Sequence, residues 1–64
     1  MNDHPTYDEI LGAITRAQTI SELTDVQILA NAAFAQGLIS ATQLALLRRS
    51  ATRREDAIVE LAIA

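Results

Sequence analysis

The chain has 64 residues, half of them apolar, and eight Asp or Glu against five arginines and no lysine, for a formal net charge of −3. The apolar share argues against intrinsic disorder, and the absence of cysteine excludes disulfides and thiolate metal sites. A single domain of this length, residues 1–64, buries only roughly 60% of its unfolded surface, and small scaffolds usually need a staple, which here leaves a second subunit or a bound partner.

The opening MNDHPTYDE is polar and acidic, so it does not read as a secretory leader. His4, beside the chain start with few nearby ligands, reads as a solvated residue rather than a metal site. The abundant alanine and the exclusive use of arginine fit a GC-rich bacterial or phage genome. The expected location is the bacterial cytoplasm, or the host cytoplasm if the gene is viral. Thr6 and Glu9 have the spacing of a capping box, in which a hydroxyl and a carboxylate each satisfy a backbone N–H at a helix start. Asp8 and Glu9 complement the positive end of the helix dipole. Tyr7, Ile10, Leu11, Ile14 and Ala17 follow helical spacing, which predicts a first helix over Tyr7–Ala17. Gly12 inside it costs about 1 kcal/mol relative to alanine, and close packing of another helix is one explanation.

Three start signals overlap after Gln18: Thr19 with Glu22, Ser21 alone, and Thr24 with Gln27. A second helix over Ser21–Gln36 is expected, ended by Gly37 in the left-handed conformation. Ser40 and Gln43 form the clearest start signal, with Ile39 and Leu44 at the spacing of a hydrophobic staple. A third helix is expected over Ala41–Ala62. Thr52 and Glu55 offer a further start, but no Gly or Pro supports a break there. No strand is predicted. The fold class is therefore all-α: a three-helix bundle, or a helical hairpin with an extra N-terminal helix, expected as a dimer.

Val26 to Leu47 contains no charged residue. In the second helix Val26, Leu29, Ala30, Ala33 and Phe34 give one apolar stripe, while Ile28, Ala32 and Ala35 spread around the other side. A helix that is apolar nearly all round is normally buried, and the alanines permit close approach. Two neighbours in a 64-residue monomer cannot cover every face, so a second copy or a larger foreign protein is expected against this helix or the hairpin it forms with the third. The candidate interface residues are Ile28, Ala32, Ala35, Leu46 and Leu47. The competing reading is an adequate, uncharged wet face built on Gln27, Asn31 and Gln36. A membrane span needs roughly 20 apolar residues; here Gln27, Asn31, Gln36, Ser40, Thr42 and Gln43 would lie inside it, with a turn in the middle, so no membrane partner is expected.

Charge is segregated. Asp3, Asp8, Glu9, Glu22 and Asp25 lie in the first 25 residues against Arg16 alone, whereas Arg48, Arg49, Arg53 and Arg54 cluster on the third helix. These five arginines are candidates for charged docking on an acidic protein patch, or for contacts to phosphates. They also fit a solvated face with local pairs such as Arg53–Asp56, each contributing at most about 1 kcal/mol. Direct nucleic-acid binding is the weaker reading, because such binding rests largely on counterion release by basic residues and this chain is acidic overall. Ala33 and Gly37 have helix-turn-helix spacing, but Leu44-Ala45-Leu46-Leu47 reads as core or interface rather than as a recognition helix. No catalytic set is found: Asp8 and Glu9 are explained by capping, and Gly12 and Gly37 are isolated, so no phosphate-cradling loop exists. No metal or cofactor is expected. The composition and pattern point to a non-catalytic regulator or inhibitor binding protein through a helix 2–helix 3 surface. The alternatives are a phage-encoded inhibitor of a host nucleic-acid or defence complex, and a small DNA-binding repressor.

The segment Ile10-Leu11, Ile14, Arg16-Ala17-Gln18-Thr19-Ile20, Leu23, Val26 resembles the start of the Hha/YmoA family of haemolysin-expression modulators. Ser40, Leu44-Ala45, Leu47, Ala51 and Arg54 resemble that family's third helix. The two segments cover about two thirds of the chain, with several extra residues between them. The family's acidic–histidine–arginine signature falls at Thr52-Arg53-Arg54, where only the arginine is kept. The resemblance implies a small, helical, non-enzymatic protein that acts by binding a larger nucleoid protein, with Arg16, Arg53 and Arg54 among the contacts.

Overall fold

Three helices follow one another in a computed structural model, which describes residues 6–63: α1 Tyr7–Arg16, α2 Ile20–Ala35 and α3 Ala41–Ile63. His4 and Asp3 lie outside the described residues. No strand occurs among those described, so the all-α expectation holds.

Each helix starts on a hydroxyl. Thr6 Oγ1 accepts the N–H of Glu9 at 3.3 Å. Thr19 Oγ1 accepts the N–H of Glu22 at 3.1 Å, and the Glu22 carboxylate reaches back to the N–H of Gln18 at 2.8 Å. Ser40 and Gln43 bond reciprocally, at 3.1 and 2.9 Å. Such bonds satisfy N–H groups that the helix itself leaves without partners. The choice of Thr19 starts α2 at Ile20, one residue before the expected Ser21. Thr24, the rival start, instead donates to the Ile20 carbonyl inside the helix. Thr52 likewise donates to the Arg48 carbonyl, so α3 runs unbroken past the second box. At the other end of α2, Gly37 adopts φ 77°. Its N–H donates to the Phe34 carbonyl, and that of Leu38 to the Ala33 carbonyl, at 3.0 and 2.9 Å. This pair of bonds is the Schellman closure, which places a left-handed residue just past the helix.

The core is built from alternating three- and four-residue steps. Tyr7, Ile10, Ile14 and Ala17 supply it from α1 and its cap, and Leu23, Val26, Ala30 and Ala33 from α2. Leu44, Leu47, Ala51 and Ile58 supply it from α3, with Ile39 from the connecting turn; all of these are buried except Tyr7 and Val26, which are half-buried. Steps of this kind keep one stripe of a helix facing its neighbours. The 3–4 sequence on α3 would place its next member at position 54, and that member is Arg54. Its Nε donates to the Ala17 carbonyl at 2.7 Å, so this cation closes the end of α1 from within the seam. No described side-chain N or O atom is buried without a hydrogen-bond partner.

Two sequence expectations are corrected here. The apolar stripe expected on α2 is not buried as one unit: Leu29 and Phe34 are 40% and 43% exposed, because the seam follows Leu23–Val26–Ala30–Ala33. Gly12 does not admit another helix: the nearest atoms to a Cβ built there belong to the guanidinium of Arg16, one turn along the same helix, at 3.2 Å and beyond.

Candidate binding surface

With Leu23, Ala30 and Ala33 turned inward, helical geometry directs Ile28, Ala32 and Ala35 away from the core. All three are exposed, and Ile28 is 61% exposed, the most of any large apolar side chain before Leu61. Between α2 and α3, Arg48 donates to Asn31 Oδ1 at 3.2 Å. This bond lies among exposed residues and marks the line where the outer faces of the hairpin meet. Beyond the end of α2, Phe34 and Leu38 are both partly exposed. The outer side of the hairpin thus presents apolar and neutral side chains, with Arg48 tied to an amide.

The structure divides the five candidate interface residues. Ile28, Ala32 and Ala35 share the outer face of α2. Leu46 lies on the other flank of α3, where it lines a hollow with Tyr7 and Leu11 of α1. Leu47 is 1% exposed and belongs to the core of the monomer. It is removed from the surface set because its own helices already cover it.

The arginines are divided as well. Arg54 holds the Ala17 carbonyl and Arg48 the Asn31 amide; these are the arginine side-chain hydrogen bonds found among the described residues. Arg16 folds back over Gly12 on its own helix. Arg49 and Arg53, one turn apart on α3, are exposed and border the α1–α3 seam. Sequence reasoning missed the structural part played by Arg54. The signal was present in the 3–4 spacing of Leu44, Leu47, Ala51 and Ile58, which assigns position 54 to the inside.

Among the described residues no group of three or more His, Asp or Glu side chains is placed to hold a metal ion. No helix among them is long and apolar enough to cross a membrane. No family model, curated protein or solved structure matches the chain.

Proposed function

We propose that the protein is a non-catalytic helical binding module that acts through the outer face of the α2–α3 hairpin, with a second copy of itself as first partner. The observation that carries this reading is the outer face of α2. Its most prominent side chain is Ile28, 61% exposed, within 22 residues, Val26 to Leu47, that carry no charge. Alanines at 32 and 35 beside Ile28 leave room for a second helix axis to approach closely, as small residues do at helix crossings.

A specific interface covers about 800 Å² per partner, against a surface of 4525 Å² for one chain. One helix face is too narrow for that area, so the contact extends over the hairpin tip at Phe34 and Leu38. In this reading the pair is a regulator or inhibitor of a larger complex in the cytoplasm of a bacterium or of a phage-infected host. The resemblance to the Hha/YmoA modulators points to the same kind of action, by binding rather than by chemistry.

Light scattering on the purified chain at micromolar concentration tests the proposal. One chain weighs 6.9 kDa, and the expected mass is twice that. Ala32→Arg places an unpaired cation into the contact and should return the mass to that of one chain, with the helical circular dichroism retained. A parent of single-chain mass would remove the self-association, and an Ala32→Arg variant of unchanged double mass would remove this face from the contact.

A further inference from the structure

Along the seam between α1 and α3 runs a half-open hollow of about 240 Å³, lined by Tyr7, Leu11, Leu46, Arg49, Ser50 and Arg53. A second, shallower hollow of about 280 Å³ shares Ser50 and Arg53 with the first and continues along α3 to Ala57. From Leu46 to Ala57 the groove covers eleven residue steps of α3, about 16 Å at 1.5 Å per residue, the length of about five residues of extended chain at 3.3 Å each. Its floor at the Tyr7 end is apolar and aromatic, and its α3 wall carries Arg49, Arg53 and Arg54. Unlike Arg48 and Arg54, whose guanidinium groups are engaged by Asn31 and Ala17, Arg49 and Arg53 stand exposed over this hollow.

We propose that the α1–α3 groove is a docking site for a short acidic peptide segment of a partner protein, with a large apolar side chain of the peptide in the Tyr7–Leu11–Leu46 hollow and flanking carboxylates on Arg49 and Arg53. Charge complementarity sets the sign of the occupant, because arginines and no carboxylate line the two hollows. Guanidinium groups favour carboxylates through paired, charge-assisted hydrogen bonds. A nucleic-acid strand shares the anionic chemistry but fits less well. A run of phosphates would leave the apolar floor formed by Tyr7, Leu11 and Leu46 without a ligand group. The site is separate from the outer face of α2 and does not depend on self-association.

Selection of displayed random heptapeptides on the immobilised full chain tests the proposal. The recovered peptides should be enriched in Asp and Glu around a Leu or Phe. In fluorescence anisotropy their synthetic consensus should lose at least tenfold in affinity with Arg49→Glu and with Arg53→Glu. Arg16→Glu, which lies over Gly12 outside both hollows, should stay within twofold. Both groove variants should keep the parental circular dichroism, since the side chains are exposed. Failure to recover peptides, recovery without acidic enrichment, or a consensus insensitive to Arg49→Glu and Arg53→Glu would overturn the proposal. A 20-nucleotide single strand that displaces the peptide and is itself lost with those two variants would overturn it in favour of phosphate binding.

Discussion

Replacing each of the two glycines by alanine should move stability in opposite directions. At Gly37 a new Cβ meets no atom within 4 Å, and the backbone stands at φ 77°. The penalty at that position is therefore conformational alone, about 1–2 kcal/mol for an L-residue held in the left-handed region. At Gly12 the backbone is helical, and the nearest neighbour to a new Cβ is the Nη1 of Arg16 at 3.2 Å. That atom ends a long, exposed side chain that can swing aside. Alanine should then gain roughly 0.5–1 kcal/mol there by removing the entropic cost of glycine in a helix. For a domain of this size 1 kcal/mol moves Tm by about 4–8 °C. Thermal unfolding followed by circular dichroism should therefore show Gly37→Ala lower by about 4–16 °C and Gly12→Ala higher by about 2–8 °C. An unchanged Tm for Gly37→Ala would refute the Schellman closure of α2. A lowered Tm for Gly12→Ala would mean that some surface other than Arg16 lies against α1 in solution.

Thr19→Ala should destabilise by about 0.5–2 kcal/mol, the usual loss of a helix cap, whereas Thr24→Ala should be close to neutral. Equal effects of the two in chemical denaturation would contradict the start of α2 at Ile20. Arg54→Met keeps the length of the side chain in the seam but leaves the Ala17 carbonyl without its donor. It should cost about 1.5–3 kcal/mol, the range for a hydrogen bond to a charged group, and Arg53→Met, on the exposed groove wall, should cost well under 1 kcal/mol, as is usual for surface substitutions. Comparable losses for both would show that Arg54 does not close the end of α1.

The ends of the helices were legible because each is written in local chemistry. Thr6, Ser40 and Gly37 act at the positions their side chains or their lack of one dictate, and the expected bounds differ from those found by one residue at most. The rotation of α2 was less legible. A helix with apolar residues on nearly every side gives little periodic signal, so Leu29 and Phe34 were grouped in one stripe with Ala30 and Ala33 although the Leu23–Val26–Ala30–Ala33 seam turns them out. The adjacent pair Leu46 and Leu47 posed a similar difficulty. Composition treats them alike, and only their register against Leu44, Ala51 and Ile58 sends one to the groove and the other to the core. The inward position of Arg54 follows from the 3–4 spacing, but its partner, the backbone carbonyl of Ala17, is 37 residues away in sequence and needed the tertiary structure.

The central claim, that a second copy covers the outer face of α2, is tested most directly by an isotope-filtered NOE experiment on an equal mixture of ¹³C-labelled and unlabelled chain. It leaves every side chain in place and reads contacts between copies alone. The Ile28 methyl groups should show intermolecular cross-peaks to alanine methyl groups of the second copy, in the same sample in which Leu47 shows contacts only within its own chain. Absence of any intermolecular cross-peak to Ile28, at a concentration where its contacts within the chain are well resolved, would contradict the account and leave that face wet.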